Sequence, residues 1–455
     1  MTWSQRIMRT VRCQNEQQSG VLARLLDLVA ENGGSIGEVR LISENSRWIE
    51  RDITVFADNE SHMDVILKAI EKNPGTHVLD VRDEVLEIHQ NGKISMRSRY
   101  PVDTMDVLRR VYTPGVASVC LKIKKESTSA RRYTSISKSV AIVTDGTAIL
   151  GLGDIGPVAG MPVMEGKAML LDTLVDLSGI PILLDTKDSG KIVDIVAAIA
   201  PTFAAIQLED ISAPRCFDIE ENLQKRLAIP VMHDDQHSTA VVTLAALISV
   251  CFNTHVFMNK VTIGQIGLGA AGMATAQMLM QYTGNPLLGT DISEAAMKRF
   301  SRLGGIPASL DEIMAKAKIV IGTTGVPGLI KPEMVRSGQI ILGLSNPNPE
   351  IRPEEALASG AAFAVDGRSV NNLLGFPGIL RGAIDVQAPY ISPEMYVAAA
   401  EKIASLTPHG ETTPNPLDRD FHRAVADAVA LKAVEQHLAG NDFLPFAGKI
   451  STRST

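Results

Sequence analysis

Cysteine is scarce in this chain: four residues in 455, at positions 13, 120, 216 and 251, none of them in a CxxC pair. That spacing argues against a zinc ribbon or a disulfide framework and fits a reducing setting, so a cytoplasmic location is expected. There is no long basic run, and the net charge is −7, so electrostatics give no reason to expect a nucleic-acid partner. No apolar run reaches the length of a membrane span without polar or glycine breaks. Internal repeats and low-complexity segments are also missing. What remains is an ordinary globular composition, 45% hydrophobic and 21% charged, long enough for about three domains at roughly 150 residues each.

The first dozen residues, MTWSQRIMRTVR, carry three arginines and no acid, faintly like a transit peptide, but RIMRTVRC alternates as a first strand does. Helical spacing follows in SGVLARLLDLVAENGG, with Asn32-Gly33-Gly34 as the stop signal. Two strands come next, SIGEVRLIS and WIERDITVFAD, then a helix capped by Ser61 and a last strand over HVLDVRDEVLEI. This β-α-β-β-α-β order is ferredoxin-like. With the loop glycine Gly20 it resembles an ACT domain, which implies a regulatory module over residues 1–90 that pairs with a second copy and binds an amino acid or other metabolite; a dimerisation module with no ligand is the alternative.

From about residue 95 short apolar strands alternate with helices, the α/β pattern. The stretch NKVTIGQIGLGAAGMATAQMLMQYTG runs a strand into Gly267-x-Gly269-x-x-Gly272, with Ala270 and Ala271 between the last two glycines, and then into a helix. Asp291 stands at the end of the next strand. Glycines let a backbone approach a pyrophosphate, the helix start favours its charge, and the acid meets the ribose hydroxyls, so a nicotinamide dinucleotide is expected. Asp291 favours NAD over NADP, although Lys298 and Arg299 follow closely enough to admit NADP. The expected architecture is α/β: the N-terminal α+β module, a catalytic α/β domain over 91–240, a doubly wound Rossmann domain over 241–390 and a C-terminal helical segment over 391–455.

Three sites between the N-terminal module and the Rossmann unit attract attention. YTPGVA puts Tyr112 in a turn; FAAIQLEDISAPRCF ends an apolar strand on Glu209 and Asp210; IPVMHDDQHSTA ends another on His233, Asp234 and Asp235 before a helix. Either acid pair alone reads as a helix cap. Together they supply the hard oxygen ligands of a Mg²⁺ or Mn²⁺ site, provided the strand breaks between Glu209 and Asp210, since adjacent strand residues face opposite ways. The histidines, His233 and His237, read as supporting residues rather than zinc ligands. Lys167 sits in GLGDIGPVAGMPVMEGKAML, where five glycines and two prolines suggest a turn from loop to helix.

The motifs YTPGVA, TDGTAILGLGDIGPVAGMPVMEGKA, LEDISAPRCFDIE, HDDQHSTA, GLGAAG, LSNPNPE and VNNLLGFPGILRGA occur in that order, and the chain from about 100 to 400 resembles a short bacterial malic enzyme. The resemblance implies oxidative decarboxylation of malate to pyruvate with NAD, or NADP, and a divalent metal. It implies Tyr112 as general acid, Lys167 as general base, and Glu209, Asp210 and Asp235 as metal ligands. It places Asn346 near the nicotinamide ribose and Asn372 near the substrate carboxylate. Neighbouring activities, oxaloacetate decarboxylation or malolactic conversion, use the same residues; an inactive sensor on this scaffold is a remoter alternative. A free lysine is protonated at neutral pH, so a base at Lys167 calls for a lowered pKa, which burial can supply. Thr147 and Ala148 stand where animal relatives have a substrate-gripping arginine, leaving Arg381 as a candidate cation; Met161 and Ser238 also depart from bacterial relatives. A homodimer or larger assembly is expected.

Overall fold

The computed structural model describes residues 6–149 and 151–440. It divides into two compact units, Met1–Ser95 and Met96–Thr455.

The first unit runs β1 (Ile7–Glu16), α1 (Val21–Glu31), β2 (Ser35–Glu44), β3 (Trp48–Ala57), α2 (Glu60–Glu71), β4 (Thr76–Arg82) and α3 (Glu84–His89). Its sheet is antiparallel in the order β2-β3-β1-β4. Val21, Leu25 and Val29 recur at four-residue spacing on α1, and Met63, Ile66 and Ile70 at spacings of three and four on α2, so both helices bury one stripe against Val11, Cys13, Ile53 and Val55 of the sheet. On the strands, Asp52 is buried among Arg12, Arg82 and Arg40, and its hydrogen bond from Arg12 holds its carboxyl below the usual range. Two local expectations fail here. The α2 cap is Asn59, whose side chain accepts from His62 N at 2.9 Å, and not Ser61. The last strand stops at Arg82 because Asp83 accepts from Leu86 N at 3.0 Å and starts α3 instead.

The second unit opens with α4 (Met105–Val111), α5 (Val116–Lys125) and a single turn, α6 (Ala130–Tyr133). None of the three has a buried side chain. A parallel sheet follows, built from β5 (Ser139–Thr144), α7 (Pro157–Val175), β6 (Ser178–Leu183), α8 (Ser189–Ile199), β7 (Ala205–Leu208), α9 (Arg215–Arg226) and β8 (Val231–His233), with strand order β6-β5-β7-β8. Helix α10 (Asp234–Asn253) leads out of it. The sequence-drawn boundary between residues 240 and 241 falls inside this helix. By length and hydropathy α10 is apolar enough to cross a membrane, but most of it is buried, packed on α11 and α16, as a core helix.

A six-stranded parallel sheet comes next: β9 (Ile263–Ile266), α11 (Ala270–Thr283), β10 (Leu288–Thr290), α12 (Glu294–Arg302), β11 (Ile306–Pro307), α13 (Leu310–Lys316), β12 (Ile319–Gly322), β13 (Ile340–Gly343), α14 (Pro353–Ala358) and β14 (Phe363–Asp366). Its order, β11-β10-β9-β12-β13-β14, is doubly wound and reverses between β9 and β12, where such sheets leave a ligand crevice. β9, β12 and β13 are buried at every position, as a sheet covered on both faces requires. Helices α15 (Phe376–Asp385), α16 (Pro393–Ser405) and α17 (Arg419–Glu435) close the unit.

Candidate active site

Lys167 lies in the middle of α7 and not at a loop-to-helix turn. The helix begins ten residues earlier because Pro157, with its fixed φ and no N–H to satisfy, takes the first helical position after Gly156. Gly160 lets α7 settle on the preceding loop: a Cβ there would stand 2.7 Å from Ile149 Cδ1.

Strand β7 ends at Leu208, so Glu209 and Asp210 follow it in loop, and Asp210 takes a left-handed turn with φ 53°. The break that a shared ion requires is therefore present. From the neighbouring strand, Asp234 and Asp235 start α10. Lys167 Nζ reaches across to Asp234 Oδ2 at 2.5 Å and Glu209 Oε1 at 3.0 Å, and lies 4.6 Å from the centre of the Phe376 ring. Asn372, from beyond the Rossmann sheet, donates to the same Asp234 Oδ2 at 2.7 Å. Gln207 donates to Glu209 Oε2 at 2.7 Å, and Asp210 N donates to Asp235 Oδ2 at 3.2 Å. Glu209, Asp234 and Asp235 offer oxygens within 4.8 Å of one another.

Negative charge exceeds positive charge in this buried cluster. Burial raises the Glu209 carboxyl well above its usual range, with Lys167 opposing and the three aspartates adding to the rise. Burial also raises Asp235, opposed by His233 and reinforced by Asp234. For Lys167 burial lowers the pKa, as expected, but Asp234 and then Glu209 outweigh it, and the net shift is upward. The expectation of a lowered base is corrected accordingly: the same carboxylates that crowd the site stabilise the ammonium. Asp234 Oδ1 is buried with no hydrogen-bond partner. Hard oxygen donors, mutual repulsion and an orphaned carboxylate oxygen all fit a divalent cation.

The remaining candidates fall in different places. His233 Nε2 meets Ile211 O at 3.2 Å and its Nδ1 lies 3.9 Å from Asp235 Oδ2, at the edge of the acid group, while His237 pairs with Glu220 at 2.9 Å and stacks on Tyr396, away from it. Tyr112 caps the end of α4 and is 65% exposed; among the described residues no hydrogen bond or ion pair joins it to Lys167. Arg381 donates to Val175 O at 3.0 Å and pairs with Asp385 at 2.8 Å, engaged at the far end of α7. Asp234, legible only as a cap, is the residue that both Lys167 and Asn372 meet.

The glycine loop follows β9. Gly267 has φ 90°, and a Cβ on Gly272 would stand 2.0 Å from Gly267 O, so no side chain fits at that turn. Gly269 faces open space. Helix α11 starts at Ala270 and Ala271 with no side-chain cap, leaving its first N–H groups for an anion. Asp291 follows β10 and accepts from Leu268 N at 2.7 Å and Ser293 N at 2.8 Å, which holds its carboxylate beside the loop. Past β13, Asn346 O lies 3.0 Å from where a Gly151 Cβ would be, so this loop touches the glycine run that precedes α7.

Comparisons with known proteins show the family. Residues 91–191 match the family described as malic enzyme, N-terminal domain, and residues 296–436 match malic enzyme, NAD binding domain. NAD-dependent malic enzyme 1 of Bacillus subtilis is 54% identical over 94% of this chain and 99% of its own length. NAD-dependent malic enzyme of Geobacillus stearothermophilus is 39% identical over 96% of this chain and 97% of its own. The crystal structure of malic enzyme from Pyrococcus horikoshii superposes with a TM-score of 0.74 at 37% identity, covering 79% of this chain and 92% of that one. With a buried lysine among carboxylates, a glycine loop of dinucleotide-binding form after β9, and relatives matched along nearly their whole length, this chain belongs to the malic enzyme family.

Proposed function

We propose that the chain oxidises malate with NAD⁺ and decarboxylates the product to pyruvate, with Mg²⁺ or Mn²⁺ at the acid cluster. The observation that carries this reading is Asp234, where Lys167 from the first sheet's helix and Asn372 from beyond the second converge on one oxygen. Read as a base and a substrate-binding amide, Lys167 and Asn372 meet at one edge of the acid cluster. Glu209, Asp210 and Asp235 would hold the cation, with Asp234 beside them. Bound there, a divalent cation supplies Lewis acidity toward the C2 oxygen and offsets the carboxylate charge that otherwise keeps Lys167 protonated.

Lys167 Nζ would take the C2 hydroxyl proton, and NAD⁺ held in the crevice would supply the hydride acceptor that makes malate a β-keto acid. Loss of CO₂ then leaves C3 to accept a proton from Tyr112. Asp234 and Asn372 orient the lysine, and Asn372 also faces the substrate carboxylate. Gly267, Gly269 and Gly272 carry the pyrophosphate, and Asn346 the nicotinamide ribose. Asp291 accepts from the adenosine ribose and repels a 2′-phosphate. The purified protein should therefore show a higher kcat/KM for NAD⁺ than for NADP⁺ with malate as substrate; the reverse order would place Asp291 outside the ribose site.

The first unit supports a ferredoxin-like, ACT-like regulatory role through its β-α-β-β-α-β order and the left-handed Gly20 at the head of α1, where a Cβ would meet nothing within 4 Å. A homo-oligomer in a cytoplasmic setting fits this reading. A thermal-shift screen of amino acids and central metabolites on the intact chain should find a ligand that also changes turnover, and removal of residues 1–95 should abolish that response. A ligand acts only through its differential affinity for two states, so a screen with no hit would leave the unit a simple joining module.

A further inference from the structure

Glu350 is 0% exposed and makes no ion pair among the described residues. Its Oε1 accepts from Thr324 N at 2.6 Å, from Thr324 Oγ1 at 2.9 Å and from the Ser345 hydroxyl; its Oε2 accepts from Ser345 N at 3.3 Å. Backbone N–H groups only donate, so this side chain serves them as an acceptor on both oxygens. Thr324 stands just past β12 and Ser345 just past β13, so one carboxylate spans the C-terminal ends of two neighbouring strands.

The bracing continues on either side. Ser345 Oγ accepts from Gly325 N at 2.7 Å, while Thr323 Oγ1 donates to Gly267 O at 3.2 Å and accepts from Gln265 Nε2 at 2.9 Å. The glycine loop and the two loops after β12 and β13 thus form one hydrogen-bonded set, and Glu350 closes its far side. Nothing larger than glycine fits beneath it: a Cβ on Gly322 would stand 2.8 Å from Glu350 Cδ.

We infer that Glu350 is a positioning residue for hydride transfer. Resting on the reading of this crevice as the nicotinamide site, it sets the spacing between the Thr323–Gly325 loop and the Ser345–Asn346 loop, and so the place of the nicotinamide relative to C2 of the substrate. It touches neither the acids nor Lys167. Its loss therefore impairs the step that needs the nicotinamide and spares the decarboxylation of oxaloacetate, which transfers no hydride.

The test uses the full chain with Glu350→Ala and Glu350→Gln, measuring malate oxidation at saturating NAD⁺, oxaloacetate decarboxylation with Mn²⁺, and thermal unfolding. Misplacement by about an ångström costs on the order of 10²-fold, the loss of kcat expected for Glu350→Ala, with decarboxylation nearly unchanged. Glu350→Gln keeps an acceptor at the Oε1 position and falls between wild type and the alanine variant. Malate oxidation at the wild-type rate, or equal losses in both reactions, would overturn the inference. If the alanine variant does not fold, the glutamine variant decides alone by the same split between the two reactions. A wild type that cannot reduce NAD⁺ with malate would instead overturn the functional reading beneath it.

Discussion

Replacing Lys167 with alanine is expected to lower kcat for malate oxidation by about 10³-fold or more, within the range that general-base groups contribute. Among the described residues the lysine is the cation paired with Asp234 and Glu209, at 2.5 and 3.0 Å. The variant should nevertheless keep its response to Mn²⁺ in thermal unfolding, because removing an ammonium leaves more carboxylate charge for the cation to neutralise. That retained response separates a lost base from a lost fold. Tyr112→Phe should behave differently: fed oxaloacetate, it stays blocked in pyruvate formation because C3 lacks its proton donor. Unimpaired turnover by both variants would remove these roles.

Asp235→Asn is expected to raise the Mn²⁺ concentration needed for half-maximal rate by more than about 100-fold, since even partners outside the ligand set typically cost 10- to 100-fold. The substitution keeps an oxygen to accept from Asp210 N, so the loop survives while one negative charge is lost. Burial, with Asp234 beside it, already holds Asp235 above its usual pKa, a sign that the cluster carries more charge than Lys167 can balance. An unchanged metal requirement would mean that the acids at these strand ends serve only as caps.

The Rossmann half of the molecule was legible because its signals are local. The glycine spacing, the buried strand before it and Asp291 after the next strand each follow from backbone sterics within a few dozen residues, and the loop has that form. That the acids at 209, 210, 234 and 235 stand together is legible because two apolar strands, β7 and β8, end just before them. The position of Lys167 inside a helix is not legible, because glycine and proline normally punctuate loops, whereas here Pro157 starts a helix and Gly160 packs closely inside it. The sign of its pKa shift was missed for another reason: Asp234 lies 67 residues away, and only the fold shows that it outweighs burial. The role of Glu350 is not legible in LSNPNPE because its other donor, Thr324, comes from a loop 26 residues away. Short caps, such as Asn59 in place of Ser61, turn on which of several adjacent polar side chains reaches the helix first.

The most direct measurement is the stoichiometry of NADH, pyruvate and CO₂ formed by the purified chain from malate, NAD⁺ and Mn²⁺, repeated after thorough chelation. The account predicts the three products in equal amounts, and none once the metal is removed. Turnover that survives chelation, or NADH formed without CO₂, would contradict it.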